Sequence, residues 1–238
     1  RFPRFFSERI DDKMAVVSGD DARHISGSLR MKKGDMAVIC NKNGIDFLCR
    51  LEIIGVECIF EVVSSQNNNA EPQVFVRLYQ ALPKGDKMDF IVQKAVELGA
   101  SEIVPMLSER CISRPDIKSA AKKLERFNRI AYEAAKQCGR GKIPIVNELV
   151  DFKSAVLSLE ADEKGIFFYE CGGERLDKIV SDDKKISIII GSEGGFSEKE
   201  AEFAEKNGWK TATLGPRILR CETAPIAALS VLMNLTEK

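Results

Sequence analysis

Two segments of the chain have the residue types and the positions of a ligand site. The first is Ile190-Gly-Ser-Glu-Gly-Gly-Phe-Ser197, which follows an apolar run and precedes a helical pattern. Glycines allow positive φ and let the backbone approach a ligand closely, and α/β folds bind ligands beyond the carboxyl ends of their strands. The spacing fits neither the dinucleotide fingerprint nor a P-loop. The segment therefore predicts either another kind of small-molecule loop or a plain strand-to-helix turn.

The second segment, Leu214-Gly-Pro-Arg-Ile-Leu-Arg-Cys-Glu-Thr-Ala224, also follows a strand-like run and leads into a helix. The apolar pair Ile218-Leu219 stands between two arginines in a loop, where polar residues are usual. An apolar loop beside a glycine loop suits an adenine and a thioether, which are bound by shape and a few backbone hydrogen bonds. Arg220 and Glu222 then either face a substrate or pair with each other.

Basic residues in several other segments favour a nucleic-acid partner. The whole chain has a formal charge of zero, yet residues 110–142 carry ten Lys or Arg and only three Asp or Glu. A local basic stripe supplies the contacts that phosphates need, although solvated helix faces carry similar charge runs. The candidate RNA contacts are Arg4, His24, Arg30, Lys84, Lys94, Arg110, Gln137 and Arg140.

The remaining reactive residue types argue against several classes of site. The seven cysteines are odd in number and show no Cys-x-x-Cys spacing, so we expect free thiols and no metal site. His24 is the only histidine, which disfavours a His-based metal site and a Ser-His-Asp triad. The longest apolar stretch is too short to span a bilayer, and the N-terminal residues lack a secretory layout. These features predict a cytoplasmic protein with no membrane partner.

The first 69 residues are predicted to be mainly β-structure. Asn41-Lys-Asn-Gly44 between two apolar runs predicts a hairpin. One helix is expected over Ala22–Leu29, with Asp20 or Asp21 as its cap. The polar stretch from Ser64 to Pro72 has the composition of a linker. We interpret this part as a small barrel of short strands.

Residues 70–238 alternate between strand and helix patterns. The predicted strands are Val74–Leu82, Ile103–Met106, Ile166–Tyr169, Ile186–Ile190 and Lys210–Leu214. The predicted helices are Lys87–Leu98, Ser119–Gln137, Thr223–Leu235 and one from the cap Ser197 to Asn207. This alternation predicts an α/β domain with a largely parallel sheet.

Taken together, these motifs resemble the bacterial 16S ribosomal RNA (uracil-N3)-methyltransferase family, one of the knotted SPOUT methyltransferases. The matching segments run in family order through nearly the whole chain: Arg4–Phe6, His24–Asp35, Gln80–Arg110, Glu133–Arg140, Gly191–Ser197 and Leu214–Ala224. Two positions depart from the family pattern. Ser192 replaces a proline, which would loosen the glycine segment, and Cys221 replaces a threonine, which removes any hydroxyl contact there.

The resemblance implies an N-terminal PUA-like β-barrel that grips RNA, over residues 1–69. It implies a C-terminal α/β domain with a deep trefoil knot over residues 70–238, and a homodimer with its active site at the interface between knotted domains. The implied cofactor is S-adenosyl-L-methionine, and the implied substrate is 16S ribosomal RNA of the small subunit. The implied cofactor contacts are Leu78, Tyr169, Glu170, Gly191, Ser192, Glu193, Gly194, Gly195, Phe196, Leu214, Gly215, Ile218, Leu219, Arg220, Thr223 and Ala224.

The implied reaction transfers a methyl group to N3 of a uracil. N3 carries a proton that must leave, and it lies on the pairing edge, so the base must be unpaired or flipped out. Arg220 is the candidate to stabilise the uracil anion. Glu222 is the candidate proton acceptor, or it only holds Arg220. Two other functions stay open: a SPOUT enzyme for another ribosomal or transfer RNA base, and a non-catalytic RNA-binding assembly factor.

Overall fold

The computed structural model describes residues 2–237 and divides into two units. The N-terminal unit contains the chain up to Glu71 together with Ala135–Ile143, and the C-terminal unit contains Pro72–Ala134 and the chain from Pro144 onward. Within the described range, no helix is both long enough and apolar enough to cross a membrane. All seven cysteines are free thiols.

In the described range, the N-terminal unit is built from five strands and one complete helix. The strands are β1 (Arg4–Phe6), β2 (Met14–Val17), β3 (Met36–Cys40), β4 (Ile45–Ile53) and β5 (Cys58–Asn67), and helix α1 (Gly19–Ser26) follows β2. They form one sheet in the order β1-β3-β4-β5-β2. β1 runs parallel to β3, and the other neighbours are antiparallel. Phe5, Ile25, Leu51 and Phe60 share its hydrophobic core.

The predicted hairpin between β3 and β4 is confirmed. The side-chain oxygen of Asn41 accepts hydrogen bonds from the backbone amides of Asn43 (2.9 Å) and Ile45 (3.1 Å). Lys42 and Gly44 both have positive φ. An Asn side chain that holds the backbone two residues on is typical of such turns.

Two predictions for this unit were wrong. Residues Ser64–Asn67 were predicted as linker, but they continue β5 by pairing with Ile45–Leu48 of β4. Their polar side chains are exposed, so the backbone ladder forms without burying them. The cap of α1 is Ser18, and Asp20 and Asp21 lie in the first turn, where negative charge is favourable to the helix dipole.

An ion-pair network attaches residues 139–142 to the N-terminal unit. Arg4 donates to both carboxylate oxygens of Asp46, at 2.8 and 2.6 Å, and to the carbonyl of Arg140 at 2.7 Å. Arg140, with only 4% of its side chain exposed, pairs with Glu71 at 2.8 Å. Glu71 also accepts from the amides of Gly141 (2.8 Å) and Lys142 (2.9 Å). A buried charge needs such partners, so this network has a structural role.

The C-terminal unit alternates strand and helix, as predicted. Its strands are β6 (Phe75–Ala81), β7 (Glu102–Leu107), β8 (Ile145–Val146), β9 (Val150–Asp151), β10 (Lys164–Phe168), β11 (Glu174–Arg175), β12 (Lys185–Ile190) and β13 (Lys210–Thr213). Its helices are α2 (Lys87–Glu97), α3 (Ile117–Cys138, which ends in the other unit), α4 (Phe152–Leu157), α5 (Leu176–Ile179), α6 (Glu198–Lys206) and α7 (Thr223–Thr236). The predicted helices that begin at 87, 119, 197 and 223 are confirmed within two residues at their starts.

The C-terminal sheet has the order β11-β13-β10-β12-β6-β7-β8, with β9 also on β7. Every neighbouring pair is parallel, which confirms the predicted parallel α/β domain. Parallel strands buried on both faces are typically continuous in apolar residues, and four of the six residues of β12 are isoleucine. The carboxyl ends of β6, β7, β10, β12 and β13 therefore reach one side of the sheet, which we call the carboxyl edge.

We expect Glu71→Ala to lower the free energy of unfolding by about 3 kcal/mol, because it leaves the buried Arg140 guanidinium without its carboxylate. The matched control is Glu57→Ala, which breaks the exposed pair with Arg9 and costs much less. Denaturant unfolding of both variants measures the difference. Equal losses would contradict the structural role of Glu71.

The same variant should show a defined pH dependence. Burial acts to raise the pKa of Glu71, but the Arg140 guanidinium and the two backbone amides outweigh it and hold the pKa below its ordinary value. A lowered carboxyl pKa stabilises the fold above the ordinary value of about 4.3, and this contribution is lost as the pH falls through the folded-state pKa. The difference between wild type and Glu71→Ala should therefore shrink in acid.

Candidate functional site

Three loops that carry predicted site residues leave neighbouring strands at the carboxyl edge. They are the glycine loop (Gly191–Phe196) after β12, the tyrosine loop (Tyr169–Gly173) after β10, and the arginine loop (Leu214–Glu222) after β13. β10 lies between β12 and β13, and the amide of Tyr169 donates to the carbonyl of Ala212 at 3.2 Å. The strand order therefore brings these three segments together although they are distant in sequence.

The glycine loop packs closely against its neighbours, and its glycines are needed for that packing. Gly195 has φ +62°, and a Cβ there would lie 2.1 Å from the carboxylate of Glu170 in the tyrosine loop. A Cβ at Gly191 would lie 3.2 Å from the ring of Phe196. Phe196 itself is buried, with its ring 4.6 Å from that of Phe167. The buried ring fixes the end of the loop while its glycines leave backbone exposed at the edge.

Two buried polar side chains under this loop have an atom with no hydrogen-bond partner among the described residues. They are the hydroxyl of Ser192 and the side-chain oxygen of Gln80. Gln80, at the end of β6, is fully buried and donates from its amide nitrogen to the carbonyl of Gly191 at 3.1 Å. Buried polar atoms without partners are rare in folded proteins, so these two are candidates for contact with a polar ligand.

Lys87, at the start of α2, joins the glycine loop to the arginine loop. Its ammonium group lies 3.0 Å from a carboxylate oxygen of Glu193 and 3.2 Å from one of Glu222. The Cys221 thiol donates to the same Glu222 oxygen at 3.2 Å. Both carboxylates therefore hold Lys87 in a structural role.

The charges of this cluster are fixed by its contacts. The hydrogen bond from Cys221 and a backbone amide, with a further contribution from Lys87, lower the pKa of Glu222. The hydrogen bonds to Glu193 and Glu222 raise the pKa of Lys87. Burial raises the pKa of the Cys221 thiol to about 12. Near neutral pH the cluster is therefore an ammonium group between two carboxylates beside a neutral thiol.

Arg220 is an exposed cation of the arginine loop. Within residues 2–237 its guanidinium has no ion pair, so the predicted alternative that Glu222 holds Arg220 was wrong. Glu222 holds Lys87 instead. Ile218 is 86% exposed, Leu214 and Leu219 are half-buried, and Gly215 and Thr223 are exposed. Ala224 is half-buried at the start of α7. The loop thus presents two arginines without an ion pair among the described residues, Arg217 and Arg220, beside apolar side chains.

The structure separates the predicted RNA contacts into exposed and structural residues. Arg4 and Arg140 are corrected to structural roles, since Asp46 and Glu71 occupy their guanidinium groups. Lys94 pairs with Glu97 in the same helix at 2.9 Å. The residues that remain exposed are His24, Arg30, Lys84, Arg110 and Gln137.

Arg110 and Lys84 lie at the glycine loop. Arg110 follows β7 and donates to the carbonyl of Gly194 at 3.1 Å. The amide of Lys84, which follows β6, donates to Glu193 at 3.2 Å. Leu78 is different, because it is fully buried in the middle of β6 between Ile188 and Ile103. Its side chain forms core, three residues before the carboxyl edge.

Sequence reasoning missed Gln80 as a site residue and missed the partners of Lys87. A polar residue inside the apolar run Val74–Leu82 was the available signal for Gln80. Nothing local in the sequence pairs Lys87 with Glu193 and Glu222, because both lie more than a hundred positions away. In the part of the chain that the structure describes, no three His, Cys, Asp or Glu side chains come together as a metal site requires.

Comparison with known proteins places this geometry in a family. Residues 70–233 match the family model described as an RNA methyltransferase domain. The chain is 36% identical over 232 residues to ribosomal RNA small subunit methyltransferase E of Bacillus subtilis, covering 93% of this chain and 90% of the relative. It is 32% identical to the protein of the same name from Buchnera aphidicola subsp. Schizaphis graminum, covering 98% and 96% of the two chains.

A solved structure agrees with these matches. The crystal structure of a ribosomal RNA small subunit methyltransferase E from Neisseria gonorrhoeae, bound to S-adenosyl methionine, has a TM-score of 0.91 and 29% identity, covering 99% of this chain and 98% of that one. The sequence matches and the fold extend over nearly the whole length of both proteins. The chain belongs to the ribosomal RNA small subunit methyltransferase E family, and its C-terminal unit is an RNA methyltransferase domain.

Proposed function

We propose that this protein transfers a methyl group from S-adenosyl-L-methionine to N3 of a specific uridine in 16S ribosomal RNA. The observation that carries the proposal is the meeting of the glycine and arginine loops at the carboxyl edge of a parallel sheet, beside the free cation Arg220. The full-length similarity to small subunit methyltransferases supports the substrate class. The cofactor in the Neisseria gonorrhoeae relative supports the methyl donor.

The finer description of the fold belongs to the same proposal. We propose a PUA-like RNA-binding barrel over residues 1–69 and a trefoil-knotted SPOUT domain over residues 70–238. The strand order supports a threaded chain, because β13 lies between β10 and β11, which are consecutive in sequence. Gly173 also passes so close to β13 that a Cβ there would lie 2.7 Å from the backbone of Ala212.

The residues at the carboxyl edge fit S-adenosyl-L-methionine. The glycine, tyrosine and arginine loops offer backbone groups for an adenine, and Leu214, Ile218 and Leu219 offer apolar surface. The unpartnered hydroxyl of Ser192 is a polar group that a ligand can satisfy. When bound, the cofactor supplies an electrophilic methyl group. The protein's own task is then to hold the base in line with that group and to manage one proton.

Arg220 is suited to stabilise the negative charge that develops on the uracil. Its guanidinium is exposed and unpaired among the described residues, so no other group has to be displaced when a base arrives. A preorganised cation at a developing charge is usually a large contribution to catalysis. Loss of the N3 proton is then easier, because the guanidinium stabilises the uracil anion that forms.

Glu222 lies in the arginine loop and is ionised, but it is a weak base. Its lowered pKa means that it takes up a proton only in acid, and Lys87 and Cys221 occupy one of its oxygens. No side chain among residues 2–237 is paired with the other oxygen. We propose that Glu222 orders the arginine loop through Lys87, and that the N3 proton passes to water or to that oxygen.

A homodimer in the cytoplasm is part of the proposal. Ile218 is 86% exposed although it is apolar and lies in the cofactor loop, which supports cover by a second copy of the chain. Exposed Lys84, His24 and Arg30 remain the proposed RNA contacts outside the cofactor loops. The test of the whole proposal is a methyl-transfer assay on small ribosomal subunits and on naked 16S RNA, with the product nucleoside identified.

The outcomes of that assay separate the alternatives. N3-methyluridine in 16S RNA supports the proposal. A different methylated nucleoside, or product on transfer RNA alone, would assign another SPOUT activity. Binding of RNA without S-adenosylmethionine binding in calorimetry would assign a non-catalytic assembly factor.

We expect Gly195→Ala to weaken S-adenosylmethionine binding about tenfold or more, because its methyl group must displace the Glu170 carboxylate and shift the loop. The matched control is Gly208→Ala, which also has positive φ (+91°) but whose nearest atom is 3.9 Å away. Both variants should lose similar stability from the left-handed conformation, about 1–2 kcal/mol. Calorimetry should find weaker cofactor binding only for Gly195→Ala; equal affinities would count against the glycine loop as a cofactor site.

We expect Arg220→Ala to lower the methyl-transfer rate about 10²–10³-fold, the usual effect of removing one preorganised group that stabilises developing charge. Cofactor affinity should change little, since the main-chain contacts of the loop remain. Arg217→Ala is the control, because Arg217 is an exposed arginine three residues earlier in the same loop. Single-turnover rates and calorimetry distinguish the two. Normal turnover by Arg220→Ala would remove Arg220 from the mechanism.

A further inference from the structure

Ion pairing divides the basic segment 110–142 into two groups of cations. Arg126 pairs with Asp89, Lys136 with Asp21 at 2.6 Å, and Arg140 with Glu71 at 2.8 Å. These three cations have carboxylate partners within the protein. A second group has no ion pair within residues 2–237 and consists of Arg110, Arg114, Lys118, Lys122, Lys123, Arg129 and Lys142, the last of which belongs to the N-terminal unit.

The acidic residues of the same segment do not neutralise this second group. Asp116 accepts the amide of Ser119 at 2.7 Å at the start of α3. Glu109, just before the segment, accepts from the hydroxyl of Ser197 at 2.6 Å. Glu125 and Glu133 are the exposed carboxylates of α3 within the described range, and Glu125 lies between Lys122 and Arg129 on the same face without an ion pair to either. The first turn of α3 contains no acidic residue, although carboxylates there would favour the helix dipole.

The unpaired cations follow a continuous path from the glycine loop. Arg110 is held at the carbonyl of Gly194 at 3.1 Å. Arg114 is held by the carbonyls of Ser108 (3.0 Å) and Cys111 (3.2 Å), so its position is also fixed. Both therefore stand at the carboxyl edge, beyond the end of β7, with their charge unneutralised.

The path continues along one face of α3. Lys118, Lys122 and Arg129 are exposed, and at 3.6 residues per turn their directions fall within about 40° of one another around the helix axis. Lys118 and Lys122 are one turn apart, about 6 Å along the axis, which is close to the spacing of successive phosphates in a nucleic-acid strand, and Arg129 lies two turns beyond Lys122, at about 10 Å. Ile112 and Ile117, which are 71% and 91% exposed, add apolar surface among the cations.

We propose that Arg110, Arg114, Lys118, Lys122 and Arg129 form a phosphate track for the RNA strand that carries the target base. The strand passes the glycine loop at Arg110, where the base enters the site, and its phosphates continue along α3. The inference rests on the proposed function, and it adds the path of the substrate. The two held arginines fix the strand near the reacting base, and the helix cations supply salt-dependent affinity.

The test is the triple variant Lys118→Gln/Lys122→Gln/Arg129→Gln in the full-length protein. Glutamine keeps a helix propensity close to that of lysine and arginine. We expect binding to a 16S RNA transcript to weaken about tenfold to a hundredfold. The slope of log affinity against log salt concentration should fall in magnitude by about 2, at about 0.7 for each lost phosphate contact with a single strand. S-adenosylmethionine affinity and thermal stability should not change.

The matched control is Lys178→Gln/Lys199→Gln/Lys206→Gln, which removes three exposed lysines from α5 and α6. It makes the same change in net charge away from the proposed path, and it should leave the salt slope unaltered. An equal effect of both triple variants would show a non-specific loss of charge and overturn the track.

Two further outcomes are decisive. Unchanged RNA affinity and slope in the first variant, with normal methylation by the wild type, would overturn the track and leave the proposed function standing. A defect seen only with assembled small subunits, and not with naked RNA, would assign this face to a ribosomal protein and overturn it as well. Absence of methylation by the wild type would instead refute the proposed function.

Discussion

The parallel direction of the strands in the C-terminal sheet is the constraint on which the site depends. It brings the carboxyl ends of β6, β7, β10, β12 and β13 to one edge, so the loops that follow them meet there. Two polar side chains then fix the loops in place, Gln80 through the carbonyl of Gly191 and Lys87 through Glu193 and Glu222. A ligand that contacts backbone groups of several loops binds better to fixed loops, because ordering each flexible loop on binding would cost conformational entropy.

Burial determines which basic residues are structural and which are available to a substrate. Arg4, Lys136 and Arg140 have nearly buried side chains, and each has a carboxylate partner, since an unpaired charge in a low dielectric is costly. Arg220, Lys118 and Lys122 are exposed, and water alone is sufficient to solvate them. A count of Lys and Arg in the sequence does not distinguish the buried, paired cations from the exposed, unpaired ones. The excess positive charge of residues 110–142 is therefore larger than the charge that a nucleic acid would meet.

Local patterns predicted most of the fold, and contacts distant in sequence account for what was missed. Apolar runs and helical spacing identified β6, β12, α2 and α7, because a buried strand or helix has to be apolar along its own length. The extension of β5 through Ser64–Asn67 depends on β4 and has no signal in its own polar residues. The site shows the same difference between local signals and contacts distant in sequence. The glycine and arginine loops were recognisable from their own residues, whereas the partners of Lys87, Arg4 and Arg140 were not.

The position of β13 has a consequence for how the protein becomes active during its synthesis. β13 is synthesised after β10, β11 and β12, yet it lies between β10 and β11 inside the sheet, with Gly173 packed against its backbone. The arginine loop and α7 follow it directly. A nascent chain that has already paired β6, β7, β10 and β12 still lacks the arginine loop and α7. The glycine and arginine loops therefore meet only after β13 has inserted between β10 and β11.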